Sequence, residues 1–276
     1  MAAKKQVLAD EMGPSMMPLM PDDPLEVYEC GFQSTLWLTT VLPAIAACVC
    51  LLWTYVFQFE ENIDNFNGGS HCGTEVKSLF PAASNSLGVW LPQSQFWQFA
   101  IALHFPARLL YILAIPYHYA CANLKLANKW WHRLLCRLAV ACGTFESLGL
   151  MLVSFVSIDT SFLVHACAFG SWLFGFCSFA LLCAILHHLS GFRQQSACSH
   201  RLFYAKCLWV ALAVCASLST AYTYPHYMTF CSSLTYSLFS LAEYLLIFLN
   251  PSFYFLFYWE LPHMKLGLYA RLPTFK

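Results

Sequence analysis

The chain has 276 residues, of which 59% are hydrophobic and 10% are charged, and its formal net charge is zero. Soluble domains carry about 45–50% apolar and about 25% charged residues. So few charges cannot cover a soluble surface, and the composition therefore argues against a water-soluble enzyme, a nucleic-acid-binding protein and a disordered scaffold.

Residues 1–33 predict a flexible N-terminal tail. The first 30 residues contain four prolines and six acidic residues, and they hold no continuous apolar segment. No secretory signal peptide is recognisable there, so we expect the first apolar helix to act as an uncleaved signal anchor.

Six apolar windows follow the tail, each near the length of about 20 residues that a helix needs to cross a bilayer. They lie near residues 35–58, 96–118, 136–157, 162–188, 202–222 and 233–258. The windows mostly lack the polar face of a soluble helix. We predict an all-α membrane protein, a six-transmembrane-helix bundle over residues 34–260, with a C-terminal tail at 261–276.

The basic residues predict the orientation of the bundle. Twelve of the 14 Lys and Arg residues lie in the two tails or in the two loops on the same side, and Lys206 is counted with the loop before the fifth window. Of the other two, Lys77 lies in the loop 59–95 and Arg108 lies inside the second window. Because Lys and Arg concentrate on the cytoplasmic side, we expect both termini to be cytoplasmic and the loop 59–95 to be luminal.

The cysteines leave one pairing open. Of the 14 cysteines, Cys72 and Cys231 are the two in predicted luminal loops, a compartment that permits disulfides. Sequence does not prove connectivity, so a disulfide and two free thiols both stay open. We expect no metal site, because His71 and Cys72 together supply too few ligands for zinc.

Ionisable side chains inside the apolar windows indicate function, because they are expensive in a bilayer. His104 and Arg108 lie four residues apart on one helical face of the second window. Glu146 lies in the third window, His165 in the fourth and Glu243 in the sixth. The helical rise places all five at mid-depth or nearer the lumen.

Arg108 keeps its proton inside proteins, so we expect it to meet an acidic partner. Glu146 and Glu243 are the candidates. Two carboxylates around one cation tend to retain a proton, which His104 or His165 could exchange.

Tyr236 and Asn250 lie on the same helical face as Glu243, each seven residues away from it. Polar groups among apolar helices suit an amphipathic ligand such as a lipid, with its head at the polar cluster and its chains along the helices. Polar groups also hold membrane helices together. A ligand site and a structural role therefore both stay open.

Several short strings form an ordered set over about residues 34–260. They are His71-Cys72-Gly73, Leu103-His104-Phe105-Pro106-Ala107-Arg108, His118-Tyr119, Phe145-Glu146-Ser147-Leu148, His165 after Asp159, Cys231 and Leu241-Ala242-Glu243-Tyr244. This set resembles the family of post-GPI attachment to proteins factor 2, which belongs to the Frag/DRAM/Sfk group of six-span proteins.

The resemblance implies a role in the fatty-acid remodelling of GPI-anchored proteins, in which lyso-GPI is reacylated at the sn-2 position with a saturated chain. It implies a Golgi membrane location, with the endoplasmic reticulum as the alternative. The implied partners are GPI-anchored proteins, the lyso-GPI lipid and other GPI-remodelling proteins, with no nucleic acid. No cofactor is expected, and the acyl donor stays open.

Three functions are compatible with these residues. In an acyltransferase, His104 or His165 would act as general base and Arg108 would hold a phosphate or an oxyanion. A lipid-presenting accessory factor would need no base. A proton-coupled lipid transporter would use the buried carboxylates and histidines as a relay, although no inverted repeat is visible. The candidate catalytic residues are His104, His165, Glu146 and Glu243, and the candidate substrate-binding residues are Arg108, Tyr236, Asn250, His118 and Tyr119.

Overall fold

The computed structural model describes residues 25–60, 72, 80–262 and 264–270. Its long helices are α1 (Phe32–Phe57), α3 (Gln93–Ala122), α5 (Trp130–Phe155), α6 (Phe162–Leu189), α7 (Ala197–Phe230) and α8 (Ser233–Phe255). Its short helices are α2 (Ala83–Gly88), α4 (Leu124–Ala127) and α9 (Phe257–Glu260), the last of which extends α8. His71, which belongs to one of the strings above, lies outside the described residues.

The six long helices are long and apolar enough to cross a membrane. The predicted all-α, six-span fold is therefore confirmed. The largest difference between a predicted window and the observed helix is at α7. This helix begins at Ala197 and ends at Phe230, whereas its apolar window covered 202–222. The polar residues at both ends of α7 lowered the local hydropathy but did not end the helix.

The surface of the bundle is apolar and its interior holds the polar groups. The most exposed large side chains in the helices include Leu52, Leu163 and Phe174, each about two-thirds exposed or more. Glu146 and Lys206, by contrast, are 0% exposed. This distribution suits a protein whose solvent is hydrocarbon, where charges face the bundle interior.

Helices α5 and α6 approach each other closely through glycines. A Cβ atom at Gly149 would lie 2.7 Å from the backbone nitrogen of Trp172, and one at Gly175 would lie 2.7 Å from the Cα atom of Glu146. Small residues at such interfaces let membrane helices pack backbone to backbone. The two contacts set the positions of Glu146 and Trp172.

Cys72 and Cys231 form a disulfide, with their Cα atoms 5.2 Å apart. Cys231 directly follows α7 and has a left-handed backbone conformation with a φ of 52°. We call this end of the bundle the disulfide end: α3, α6 and α8 begin there, and α1, α5 and α7 end there. The distribution of basic residues predicts that the disulfide end is luminal.

A small sheet forms a second compact unit, distinct from residues 35–262. Strand β1 (Leu25–Gly31) pairs antiparallel with β2 (Lys265–Ala270), so that Gly31 lies opposite Lys265. Both strands lie in segments predicted as tails. No local pattern indicated them, because the pairing joins segments from the two ends of the chain.

Candidate functional site

A buried network surrounds Arg108, which lies in the middle of α3 and is 1% exposed. Its Nη2 atom donates to Glu146 Oε1 and to Asn250 Oδ1, both at 2.6 Å. Asn250 Nδ2 donates to the same carboxylate at 2.7 Å, and the Tyr254 hydroxyl donates to its other oxygen at 3.0 Å. The Tyr254 ring centroid lies 4.0 Å from Arg108 Cζ. This Arg108 network ties α3, α5 and α8 together.

His104 belongs to the same network, as the four-residue spacing predicted. Its Nδ1 lies 2.7 Å from the carbonyl oxygen of Ile101, and its Nε2 lies 3.1 Å from Arg108 Nη1. Because a carbonyl oxygen can only accept, the proton is on Nδ1, and Nε2 accepts from the guanidinium. Both ring nitrogens of His104 are thus occupied.

Glu243 does not join the Arg108 network. Its Oε2 accepts a hydrogen bond from the backbone N–H of Ala83, at the start of α2, over 2.9 Å. Glu243 precedes Asn250 by seven residues, so it lies about 10.5 Å nearer the disulfide end along α8. The expected arrangement of Arg108 between two carboxylates is therefore wrong. Within the described part of the chain, Glu146 is its single counter-ion.

His165 lies in the first turn of α6, near the disulfide end. Its Nδ1 is 2.7 Å from the carbonyl oxygen of Val156, which directly follows α5. By the same reasoning as for His104, the proton is on Nδ1 and the lone pair of the neutral ring is on Nε2.

Two cavities share His165 and Glu243 in their walls. The larger, of about 260 Å³, lies among α6, α7 and α8 and is almost wholly apolar. The smaller, of about 50 Å³, lies among α2, α3, α5, α6 and α8. Four residues line both cavities: Ser84, His165, Phe169 and Glu243. An apolar space with a few polar groups at one place suits an amphipathic ligand.

The predicted single pocket is therefore divided. Arg108, His104, Glu146 and Asn250 are absent from the lining of both cavities, although all four lie in the described part of the chain. The structure brings Arg108 together with three predicted site residues, and it brings His165 together with Glu243, but it keeps these two groups apart.

A second buried network lies at the opposite end of the bundle, around Glu260. This carboxylate accepts from Lys206 Nζ, and it lies 2.9 Å from His187 Nδ1 and 3.2 Å from His118 Nε2. Lys206 also donates to the Tyr119 hydroxyl at 3.0 Å. The network ties α3, α6, α7 and α9 together.

Sequence reasoning missed the centre of this Glu260 network. Lys206 was expected in a loop, but it lies within α7 and is 0% exposed. A lysine near the end of an apolar window looks like a cytoplasmic charge, and only its carboxylate partner shows that it is buried. His118 and Tyr119, candidates for substrate binding, lie in this network and do not line either of the two cavities at His165.

Tyr236, the remaining candidate, lies in an apolar cluster at the disulfide end. Its ring centroid is 4.6 Å from that of Tyr227, and Ala82 and Phe239 complete the cluster. It does not line either of the two cavities. Its position supports the packing of α7 against α8.

Comparison with known proteins connects this architecture to a family. Residues 32–264 match the family model described as Frag1/DRAM/Sfk1/Cwh43P N-terminal domain. The chain is 24% identical over 267 residues to post-GPI attachment to proteins factor 2 of Caenorhabditis briggsae, covering 94% of this chain and 98% of that protein. It is 27% identical over 246 residues to the protein of the same name in Caenorhabditis elegans, covering 84% and 89%.

A third relative carries a different name. The chain is 24% identical over 229 residues to "Acyltransferase PGAP2" of Xenopus tropicalis, covering 83% of this chain and 86% of that protein. No solved structure matches the chain. The matches confirm the resemblance seen in the short strings. Because the family model covers most of its length, the chain belongs to the Frag1/DRAM/Sfk1/Cwh43P N-terminal domain family.

Proposed function

We propose that this protein reacylates a lyso-GPI lipid at the sn-2 position with a saturated chain, and so takes part in the lipid remodelling of GPI-anchored proteins. The names of its relatives support the proposal, since two refer to a step after GPI attachment and one to an acyltransferase. The observation that carries it is the apolar cavity of about 260 Å³ with His165 and Glu243 in its wall.

The lining of the cavity suits a lipid substrate. Its lining from α6, α7 and α8 is apolar over most of its area, and this part would hold an acyl chain. His165, Glu243 and Ser84 also line the smaller cavity, so the polar part of the lipid would lie beside these three residues. The disulfide end is the predicted luminal end, and the proposal therefore places the reaction in the luminal leaflet of the Golgi membrane.

His165 is the proposed general base. The sn-2 hydroxyl of the lyso lipid gives its proton to Nε2, and its oxygen attacks the carbonyl carbon of the donor's acyl group. The bond from that carbon to the donor's oxygen or sulfur breaks, and the leaving atom takes the proton from Nε2. The Val156 carbonyl accepts from Nδ1–H and holds the ring in place, and Glu243 lines the same two cavities as this base.

The Arg108 network has a structural role in this proposal. Its Nη1 and Nη2 atoms bind His104, Glu146 and Asn250, and none of these four residues lines either cavity. We therefore assign the phosphate of the lipid to no residue of this network, and we assign the base to His165 rather than His104.

Purified protein in liposomes tests the proposal, with lyso-GPI as acceptor and either stearoyl-CoA or a diacyl phospholipid as donor. We expect acyl transfer from one donor, and we expect His165→Gln to lower the rate by about 10²–10⁴-fold. His188→Gln is the matched control, because that histidine is exposed and its rate should equal the wild-type rate.

Two results would count against the proposal. Folded protein that binds lyso-GPI but transfers no acyl group from either donor would be a lipid-presenting factor. A His165→Gln variant with the wild-type rate would remove the general base from the mechanism.

A further inference from the structure

One of the side chains that line the smaller cavity carries a hydrogen-bond donor with no acceptor among the described residues. Trp172 lines this cavity and is 3% exposed, and its indole Nε1 is buried with no hydrogen-bond partner among the described residues. Trp97 lines the same cavity, but its indole N–H donates to Ser154 Oγ at 3.0 Å. Buried polar groups are nearly always paired, and Trp172, unlike Trp90, lines a cavity that has room for a ligand atom to accept from its N–H.

Trp172 is held in position by its surroundings. It follows His165 by seven residues, which places both on one face of α6 with Phe169 between them. The Phe169 and Trp172 ring centroids are 5.7 Å apart. The backbone of Trp172 packs against Gly149 of α5, where no side chain fits. The indole is therefore a preorganised donor on the same wall as the proposed base.

The chemistry of the cavity defines the acceptor. An indole N–H can only donate, so a hydrocarbon chain would leave it unsatisfied. A group with a permanent negative charge would meet the carboxyl group of Glu243, which lines the same cavity, whereas a carbonyl oxygen is neutral when it binds and carries charge only during the transfer. A volume of about 50 Å³ holds a group of a few atoms, since one water needs about 10–15 Å³. A neutral carbonyl oxygen meets all three conditions.

We propose that the smaller cavity receives the ester carbonyl of an acylated lipid and that Trp172 Nε1–H donates to its oxygen, with the acyl chain in the larger cavity. The inference rests on the proposed function for the identity of the lipid. During transfer, the carbonyl oxygen gains negative charge when the sn-2 oxygen adds to the carbon. It loses that charge when the bond to the donor breaks. A donor aimed at this oxygen stabilises the intermediate.

The first test removes the N–H and keeps an aromatic ring, in the variant Trp172→Phe. We expect kcat for acyl transfer to fall by about 10²–10³-fold, the loss typical of one oxyanion donor, and KM for the donor to rise by a smaller factor, because a neutral carbonyl binds the N–H less strongly than the oxyanion does. Trp90→Phe is the matched control. It removes another buried indole N–H that lacks a partner among the described residues, but Trp90 lines neither cavity. Its kcat should equal that of the wild type.

The second test needs no turnover and keeps Trp172. Full-length His165→Gln protein, ¹⁵N-labelled and held in dodecyl maltoside micelles, is titrated with a short-chain diacyl phospholipid and with its dialkyl ether analogue. We expect the Trp172 indole proton resonance to move downfield with the ester lipid only, and the Trp90 resonance to stay in place.

The outcomes separate the two proposals. An ester-specific shift without any acyl transfer would sustain the carbonyl site and refute the transferase. Acyl transfer with no shift, or with equal shifts for ester and ether, would show that water or a chain fills the cavity, and it would overturn the role of Trp172. An unchanged kcat in Trp172→Phe would overturn it as well.

Discussion

Replacing Glu146 with Gln tests whether the Arg108 network stabilises the bundle. The substitution keeps the size of the side chain and removes the counter-ion of a guanidinium that is 1% exposed. Removing one partner of a buried ion pair costs about 3–5 kcal/mol. A glutamine oxygen can still accept from Arg108. We therefore expect the free energy of unfolding to fall by about 3 kcal/mol, near the lower end of this range.

This loss is large enough to measure by thermal unfolding in detergent micelles. For a chain of this size, 1 kcal/mol corresponds to about 2–4 °C in the midpoint, so Glu146→Gln should lower it by about 6–12 °C. Glu60→Gln is the control, because Glu60 is exposed and the same substitution there should leave the midpoint unchanged.

Two further variants separate the effect of the ion pair from the effect of the packing around it. Arg108→Met leaves Glu146 buried without its cation, and the double variant Arg108→Met/Glu146→Gln leaves neither charge. Replacing a whole buried pair with neutral groups is often tolerated. We therefore expect the double variant to unfold at a higher temperature than either single variant. A wild-type midpoint for Glu146→Gln, or a double variant below both singles, would refute the stabilising role.

Four further outcomes are expected. Lys206→Met should lower the unfolding midpoint by several degrees, because it leaves a buried carboxylate without its cation, whereas Lys125→Met, at an exposed site, should not. Cys72→Ser should destabilise the protein by about 2–4 kcal/mol without reductant, and reduced wild-type protein should match it. Gly149→Ala should destabilise by about 1–3 kcal/mol, since its Cβ would meet backbone at 2.7 Å, whereas Gly170→Ala, with open space, should not. A glycosylation sequon inserted into the loop 59–95 should be modified in cells, and one added after the last residue should not, if the termini are cytoplasmic.

Some contacts of Arg108 could be predicted from the sequence, because the free-energy cost of burying a charge in a bilayer applies to each residue by itself. The cost of a charge at mid-depth already implied a partner for Arg108, and Glu146 was one of two candidates. The spacing of His104 and Arg108 on one helix gave their contact directly. Depth did not decide between Glu146 and Glu243, because both lie near the middle of their helices.

The choice between partners depended on how the helices are rotated and packed. Gly175 brings α6 against the backbone of Glu146, and α2 presents the N–H of Ala83 to Glu243. No local pattern encodes either contact. The same holds for Lys206, whose partner Glu260 lies 54 residues further along the chain.

The amino-acid sequence by itself determined six membrane-crossing helices, because transfer into hydrocarbon depends on the composition of each segment. Only the tertiary structure decided that the buried polar residues divide into an Arg108 network, a Glu260 network and a pair of cavities at His165. The reason is physical: a buried polar group must find a partner, and which one it finds depends on how closely the backbones can approach.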